Sequence, residues 1–78
     1  MPYNSKAFGI VISRLRAQRG LTQDVLSGLA GIARSHLAML ESGRKSIRLD
    51  TMWRIADALG MRPSALIRLV EEELGEGR

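Results

Sequence analysis

Cysteine is absent from this chain of 78 residues, which excludes a disulfide framework and a thiolate metal site and fits a reducing compartment. Aromatic residues number only three, so an apolar core has to be built from aliphatic side chains. Long hydrophobic runs are also missing: the segment 7–12 is too short to span a membrane and lacks a signal-peptide arrangement. We therefore expect one small domain covering residues 1–78, located in the cytoplasm and without a membrane partner.

Charge is distributed unevenly along the chain. Residues 1–54 carry nine Lys and Arg against three acidic residues, a net charge of +6, whereas residues 55–78 carry three against five, a net charge of −2. A basic body with an acidic tail suggests that a polyanion binds on one side. An ordinary solvated basic surface is the alternative that charge alone leaves open.

Helical periodicity dominates the pattern of apolar residues, and no segment alternates with the period of a strand. Near the start, Phe8, Val11, Ile12 and Leu15 follow the i, i+3, i+4, i+7 spacing of one helix face. The same reasoning predicts an all-α fold with helices at about residues 5–19, 22–30, 34–41, 50–59 and 63–74. Polar residues that can cap an N-terminus are expected to start three of them: Ser5, Thr22 and Asp50.

The second predicted helix contains an unexplained glycine. Its apolar residues Val25, Leu26 and Leu29 are expected to form the face that packs on the core. Gly28 lies in the interior of this helix, where glycine costs roughly 1 kcal/mol relative to alanine. We therefore expect another part of the chain to approach closely at Gly28.

The second and third helices are too short to be stable alone, since isolated helices below about 12–15 residues are marginal in water. Gly31 separates them, and two short helices joined by a tight turn with glycine form a helix-turn-helix, here at residues 22–41. In that motif the second helix enters the DNA major groove. We expect Leu37 and Leu40 to point inward, with Arg34 at the leading edge. At 100° per residue, the outward positions are Ser35, Ala38, Met39 and Ser42.

From Phe8 to Leu69 the chain resembles the lambda-repressor-like family of bacterial and phage regulators, also called the Cro/CI or XRE family. The matching motifs are FG..I..LR at 8–16, GLTQ..L at 20–26, GI at 31–32, L..LESG at 37–43 and M..IADALGM at 52–61. The resemblance implies a compact five-helix domain that binds operator DNA, usually as a two-fold dimer.

The resemblance also implies roles for individual residues. The positions that read bases in the family are occupied here by Arg34, Ser35, Ala38 and Met39. Those that contact phosphates are occupied by Thr22, Gln23, Ser42, Arg44 and Lys45. Arg16 and Glu41 match a charge pair that ties the first helix to the end of the third. His36, the only histidine, is interpreted as a flank residue near a phosphate, with a partly buried structural histidine as the alternative.

The residue chemistry is consistent with these roles. The planar fork of Arg34 can read guanine O6 and N7, and a bidentate contact of this kind discriminates by about 1–3 kcal/mol. A departure from the family occurs at Ala33, where relatives often place a capping Ser or Thr; the missing oxygen costs about 1 kcal/mol. Ser27 replaces the usual alanine of the second helix but is still small.

The last helix is more apolar than one core contact requires. Either it is deeply packed, or its spare surface contacts a second subunit, and we favour a homodimer. The residues assigned to that contact are Leu66, Ile67, Leu69, Val70 and Leu74. The position of Trp53 is left open between a basic loop at residues 42–46 and the dimer contact.

Taken together, these patterns predict a sequence-specific transcriptional regulator that binds a near-palindromic operator in double-stranded DNA as a homodimer. It is similar to restriction–modification controller proteins and small phage-type repressors, acts at the nucleoid, and has RNA polymerase as a further partner. An antitoxin that also binds a toxin, and a pure interaction or RNA-binding module, are the alternatives. No cofactor or metal is expected, and no catalytic arrangement of side chains indicates an enzyme.

Overall fold

The computed structural model describes residues 2–76 and shows five helices and no strand over that range. The helices are α1 (Ser5–Gln18), α2 (Gln23–Ala30), α3 (Arg34–Glu41), α4 (Leu49–Ala58) and α5 (Pro63–Glu76). The all-α, five-helix fold predicted from the sequence is confirmed. Within residues 2–76 none of the helices combines the length and the apolar character that a membrane crossing requires.

One core lies between the helices, and it is almost entirely aliphatic. α1 packs against α3 and α5, α2 packs against α3 and α4, and α4 also packs against α5. Burial of a Leu, Ile or Val side chain contributes about 1.5–3 kcal/mol, so these contacts hold helices that would be unstable alone. The largest fully buried side chains are Val11, Ile12, Leu26, Leu37, Leu40, Ile55 and Leu66.

Two of the three predicted helix starts are wrong by one or two residues. Asn4, not Ser5, caps α1: its backbone is extended and its Oδ1 accepts a hydrogen bond from the Ala7 amide at 2.9 Å. α4 begins at Leu49 without a side-chain cap, which places Asp50 inside the first turn, where its Oδ1 accepts from the Thr51 amide. A carboxylate in the first turn is still favoured by the helix dipole.

The predicted inner face of α2 is confirmed at Leu26 and wrong at Val25 and Leu29. Leu26, Ser27 and Ala30 are buried, whereas Val25 and Leu29 are exposed. Ser27 can be buried because its hydroxyl donates a hydrogen bond to the Asp24 carbonyl, so no polar atom is left unpaired. The helical spacing of apolar residues fits two neighbouring stripes of α2. Packing against α3 and α4 buries the stripe that contains Ser27.

The close approach expected at Gly28 occurs instead at Gly9. A β-carbon added to Gly28 would meet no atom within 4 Å. A β-carbon added to Gly9 would lie 2.6 Å from the Leu40 carbonyl oxygen and closer still to that of Glu41. The absence of a side chain at Gly9 therefore lets α1 pack directly on the last turn of α3.

Candidate nucleic-acid interface

The turn between α2 and α3 is made by a glycine in the left-handed conformation. Gly31 has φ 71° and ψ 33°, a region that side chains disfavour, and its amide donates to the Gly28 carbonyl at 3.3 Å. The next amide, of Ile32, donates to the Ser27 carbonyl at 3.0 Å. These bonds end α2 and redirect the chain within three residues into α3, which begins at Arg34.

α3 is amphipathic in the sense that the sequence predicts. Leu37 and Leu40 are buried and hold the helix on the core. Arg34, Ser35 and Met39 are exposed on the other side. Ala38 and His36 are half-buried at the margins of that outer face. The residues predicted to read bases are therefore gathered on one surface, with no neighbouring helix covering it among residues 2–76.

An acidic residue that the sequence places in the first turn of the second helix, but does not assign to this surface, accompanies it. Asp24, in the first turn of α2, lies with its Oδ1 3.2 Å from Arg34 Nε. Both side chains are open to solvent, with 65% of Arg34 and 77% of Asp24 exposed. The spacing of the two residues in the sequence does not reveal this pair, because the contact depends on how the turn orients α3 relative to the beginning of α2.

The start of α2 presents a second part of the surface. Thr22 is exposed and caps the helix, its Oγ1 accepting from the Val25 amide at 3.1 Å. Gln23 is half-buried, and its Nε2 donates to Glu41 Oε1 at 3.0 Å. The side-chain Nε2 of Gln23 has a second hydrogen that can be donated. The backbone amides in the first turn of α2 point out of the helix end, which favours an anion there.

Behind this surface lies a hydrogen-bonded ion pair. Arg16 donates from Nε to Glu41 Oε2 at 2.8 Å and from Nη2 to Glu41 Oε1 at 3.0 Å. Its Nη1 donates to the Leu21 carbonyl at 2.9 Å, and Gln23 adds a third donor to the carboxylate. Only 20% of the Arg16 side chain and 7% of that of Glu41 are exposed.

This ion pair fixes the orientation of α3. The hydrogen bonds to Glu41 raise the pKa of Arg16 above its ordinary value, and partial burial opposes them. Arginine therefore stays charged over the working pH range. The network joins α1, the loop before α2 and the last residue of α3, so the predicted recognition helix is fastened at its C-terminal end.

The basic loop after α3 is attached to the start of α1. Gly43 has φ 78° and packs against Lys6, where a β-carbon would lie 2.8 Å from the Lys6 side chain. Ser42 donates from Oγ to the Met39 carbonyl at 3.1 Å, and the Arg44 amide donates to the same carbonyl. Arg44 and Lys45 are exposed beside the end of α3. The loop therefore extends the basic surface at a defined position.

The assignment of α5 residues to a dimer contact needs correction. Leu66 is 0% exposed and Val70 is 4% exposed, so both belong to the core of the single chain, and Leu66 has no surface to offer a partner. Leu69 and Leu74 are half-buried, and Ile67 is exposed. When a helix carries apolar residues on two stripes, its sequence does not show which stripe is buried in the core.

An apolar groove of about 510 Å³ lies between α5 and the start of α4. Tyr3 and Ile67 border it, together with Leu49, which is 68% exposed and which the periodicity did not bring into the predicted core. Trp53, four residues after Leu49, is exposed as well. We call the four exposed residues Tyr3, Leu49, Trp53 and Ile67 the apolar face.

Comparison with known proteins places this geometry in a family. Residues 12–66 match the helix-turn-helix family model HTH_3. The chain is 33% identical over 67 residues to the HTH-type transcriptional regulator y4dJ of Sinorhizobium fredii, a match that covers 86% of this chain and 87% of that one. It is 38% identical over 68 residues to the immunity repressor protein of Bacillus phage phi105, covering 83% of this chain and 47% of the repressor, about half its length.

A solved structure shares the fold as well. The restriction–modification controller protein C.AhdI from Aeromonas hydrophila superposes with a TM-score of 0.77 at 32% identity. That superposition covers 80% of this chain and 94% of the controller protein. The family resemblance predicted from the sequence motifs is confirmed, and the chain belongs to the helix-turn-helix family of DNA-binding transcriptional regulators.

Proposed function

We propose that this chain binds a near-palindromic operator as a homodimer, with α3 of each subunit in the major groove. Base edges are contacted by Arg34, Ser35, Ala38 and Met39. Phosphates are contacted by Thr22, Gln23, His36, Ser42, Arg44 and Lys45. Occupancy of the operator regulates transcription, either by blocking RNA polymerase at an overlapping site or by contacting it from an upstream one.

The observation that carries this proposal is the contrast between the two sides of α3. Leu37 and Leu40 are buried and Glu41 is held by the Arg16 network, whereas Arg34 and Met39 project from the other side into solvent. Exposed apolar and cationic groups on a rigid short helix suit base edges and thymine methyl groups. The net charge of +6 over residues 1–54 supplies the attraction to phosphates.

Selection from random duplex DNA tests the DNA-binding part. We expect enrichment of a sequence with two-fold symmetry. Its half-sites should lie about 34–36 Å apart, which is one turn of the DNA double helix. Binding to the selected duplex, measured by fluorescence anisotropy, should weaken linearly on a log–log scale as salt rises. Failure to enrich any sequence, or affinity that does not respond to salt, would contradict operator binding.

The apolar face supports the homodimer. Exposed Leu49, Trp53 and Ile67 are large apolar side chains on adjacent helices, and exposed apolar patches of this kind commonly mark contacts between proteins. Leu69 and Leu74 would flank the contact from α5. Leu66 and Val70 support the face from below, in the core.

Sedimentation equilibrium tests the homodimer with a matched pair of variants. Leu49→Glu places a charge in the apolar face and should shift the protein to monomer. Leu29→Glu places the same charge at a residue of α2 that is 61% exposed and does not line the groove, and should leave the dimer intact. Dissociation by Leu29→Glu alone would locate the contact elsewhere.

The apolar face is also the observation that favours the antitoxin alternative, because a toxin could occupy it in place of a second copy. Co-purification of the product of a neighbouring gene, abolished by Leu49→Glu and retained by Leu29→Glu, would establish that function. A purified chain that dimerises alone through the same face favours the regulator.

A further inference from the structure

Arg34 lies at the N-terminus of α3, an electrostatically unfavourable position for a cation. It is the first residue of α3, where the helix dipole repels a cation, and α3 has no acidic residue of its own in the first turn. The cap position before it, Ala33, makes no side-chain hydrogen bond. Asp24, supplied by α2, is the carboxylate that offsets this repulsion, at 3.2 Å from Arg34 Nε.

The contact engages one specific edge of the guanidinium. Nε is the guanidinium nitrogen that the ion pair places beside Asp24, at 3.2 Å without a hydrogen bond, and none of the hydrogen bonds within residues 2–76 uses the two terminal amino groups. These terminal groups can form two parallel hydrogen bonds with guanine O6 and N7. An arginine whose Nε lies beside the carboxylate therefore keeps both terminal amino groups free for a base.

We propose that Asp24 is a specificity-determining positioning residue, which contacts no base and acts by orienting Arg34 toward one base pair. This inference rests on the proposed function, since it assumes that Arg34 reads a base. A flexible arginine can instead reach a nearby phosphate, which strengthens binding to any sequence. Asp24 disfavours that alternative because its charge holds the guanidinium and repels phosphates.

The position of Asp24 in the first turn of α2 has a simpler explanation, stabilisation of the helix dipole, and the two roles predict different results. A carboxylate that only stabilises α2 would change the melting temperature and leave base preference unchanged. A positioning carboxylate changes base preference through Arg34 alone. Its removal also subtracts a negative charge near the DNA, so random duplex should bind equally well or more tightly.

The chain offers a matched control. Asp50 also lies in the first turn of its helix, is exposed, and pairs with an arginine, its Oδ1 lying 3.6 Å from Arg48 Nε. Asp50→Asn therefore removes the same charge from the same kind of site. The comparison of Asp24→Asn with Asp50→Asn separates positioning of Arg34 from the general effect of net charge.

The experiment measures affinities of wild type, Asp24→Asn, Asp50→Asn, Arg34→Ala and the Asp24→Asn/Arg34→Ala double variant. The probes are the selected duplex, the same duplex changed at the base pair whose preference Arg34→Ala relaxes, and random duplex. Asp24→Asn should lower the preference ratio by about two- to fivefold, the range expected of an exposed ion pair. Asp50→Asn should leave the ratio unchanged, and Asp24→Asn should have no further effect once Arg34 is absent.

An unchanged ratio in Asp24→Asn, or an equal loss with and without Arg34, would overturn the proposal. If Arg34→Ala relaxes the preference and Asp24→Asn does not, only the role of Asp24 fails. If wild type prefers no duplex, or Arg34→Ala leaves the preference intact, the proposed base-reading role fails and the role of Asp24 fails with it. Thermal melts of each variant verify that the ratio is measured on folded protein.

Discussion

Two arginine–carboxylate pairs contact the helix-turn-helix, and they differ in almost every physical respect. The Arg16–Glu41 pair lies behind the motif, is bidentate, and has only 7% of the carboxylate side chain exposed. The Arg34–Asp24 pair lies in front, is made through one nitrogen, and is mostly exposed. The first joins α1 to the end of α3, and the second joins the beginnings of α2 and α3.

Burial decides what each pair can do. Removing one partner of a buried pair leaves an uncompensated charge and costs about 3–5 kcal/mol, whereas an exposed pair contributes about 0–1 kcal/mol. The rear pair is therefore suited to fixing the orientation of α3. The front pair is weak enough for Arg34 to form the proposed contact with a base at little energetic cost.

The largest expected effect breaks the rear pair. Arg16→Ala should lower the free energy of unfolding by about 3 kcal/mol or more, because Glu41 would stay buried without its main partner. Arg14→Ala is the control: Arg14 pairs with Glu73 at 3.0 Å but is far more exposed, so less than about 1 kcal/mol should be lost. Urea denaturation measures both, and equal losses would contradict the assigned difference in burial.

The next effect tests the backbone contact beside the rear pair. Gly9→Ala should destabilise by about 2–3 kcal/mol, because its β-carbon would meet carbonyl oxygens of α3 that cannot move aside. Gly28→Ala should instead stabilise by about 0.5–1 kcal/mol, since alanine is the better helix former and no atom lies within 4 Å. Thermal melts read both shifts, and a stable Gly9→Ala protein would refute the close approach.

Breaking the front pair should affect binding rather than folding. Arg34→Ala should weaken binding to the selected duplex by about 1–3 kcal/mol and relax preference at one base pair, with stability unchanged within about 0.5 kcal/mol. Arg62→Ala, at an exposed arginine before α5, is the control in the same anisotropy titrations. Equal loss on selected and random duplex would remove Arg34 from the base-reading set.

The smallest effect concerns the basic loop. Arg44→Ala should reduce affinity for all duplexes alike and lower the slope of log affinity against log salt by about one. Arg68→Ala, an exposed arginine on α5, should leave that slope unchanged. A slope unaffected by Arg44→Ala would exclude a phosphate contact at Arg44.

Sequence patterns predicted the fold and the two sides of α3, because Leu37 and Leu40 can satisfy helical spacing in only one way. α2 was harder, since Val25 and Leu29 offered an apolar stripe next to the one that packs. The core accepted Ser27 because its hydroxyl is paired locally with the Asp24 carbonyl. Hydropathy alone does not predict the hydrogen bond between Ser27 and the Asp24 carbonyl.

Apart from the Arg16–Glu41 pair, which the family resemblance implied, contacts between distant segments were not accessible from the sequence. Gly9 and Gly28 both occur inside helices, and only the packing of α1 on α3 shows that Gly9 is the constrained one. Leu66 and Leu49 are the same residue type, yet one is fully buried and the other borders the open groove. The pairing of Asp24 with Arg34 likewise depends on the angle that Gly31 sets between two helices.

The contacts that anchor α3 on the core have a consequence for engineering. Since Gly9, Arg16 and Glu41 anchor α3 without using its outer side chains, combinatorial libraries at 34, 35, 38 and 39 should retarget the protein without unfolding it. Position 24 belongs in such a library, because under the proposed positioning role Asp24 would pair poorly with residues other than arginine at 34. Orthogonal regulators built on this scaffold should therefore vary positions 24 and 34 together.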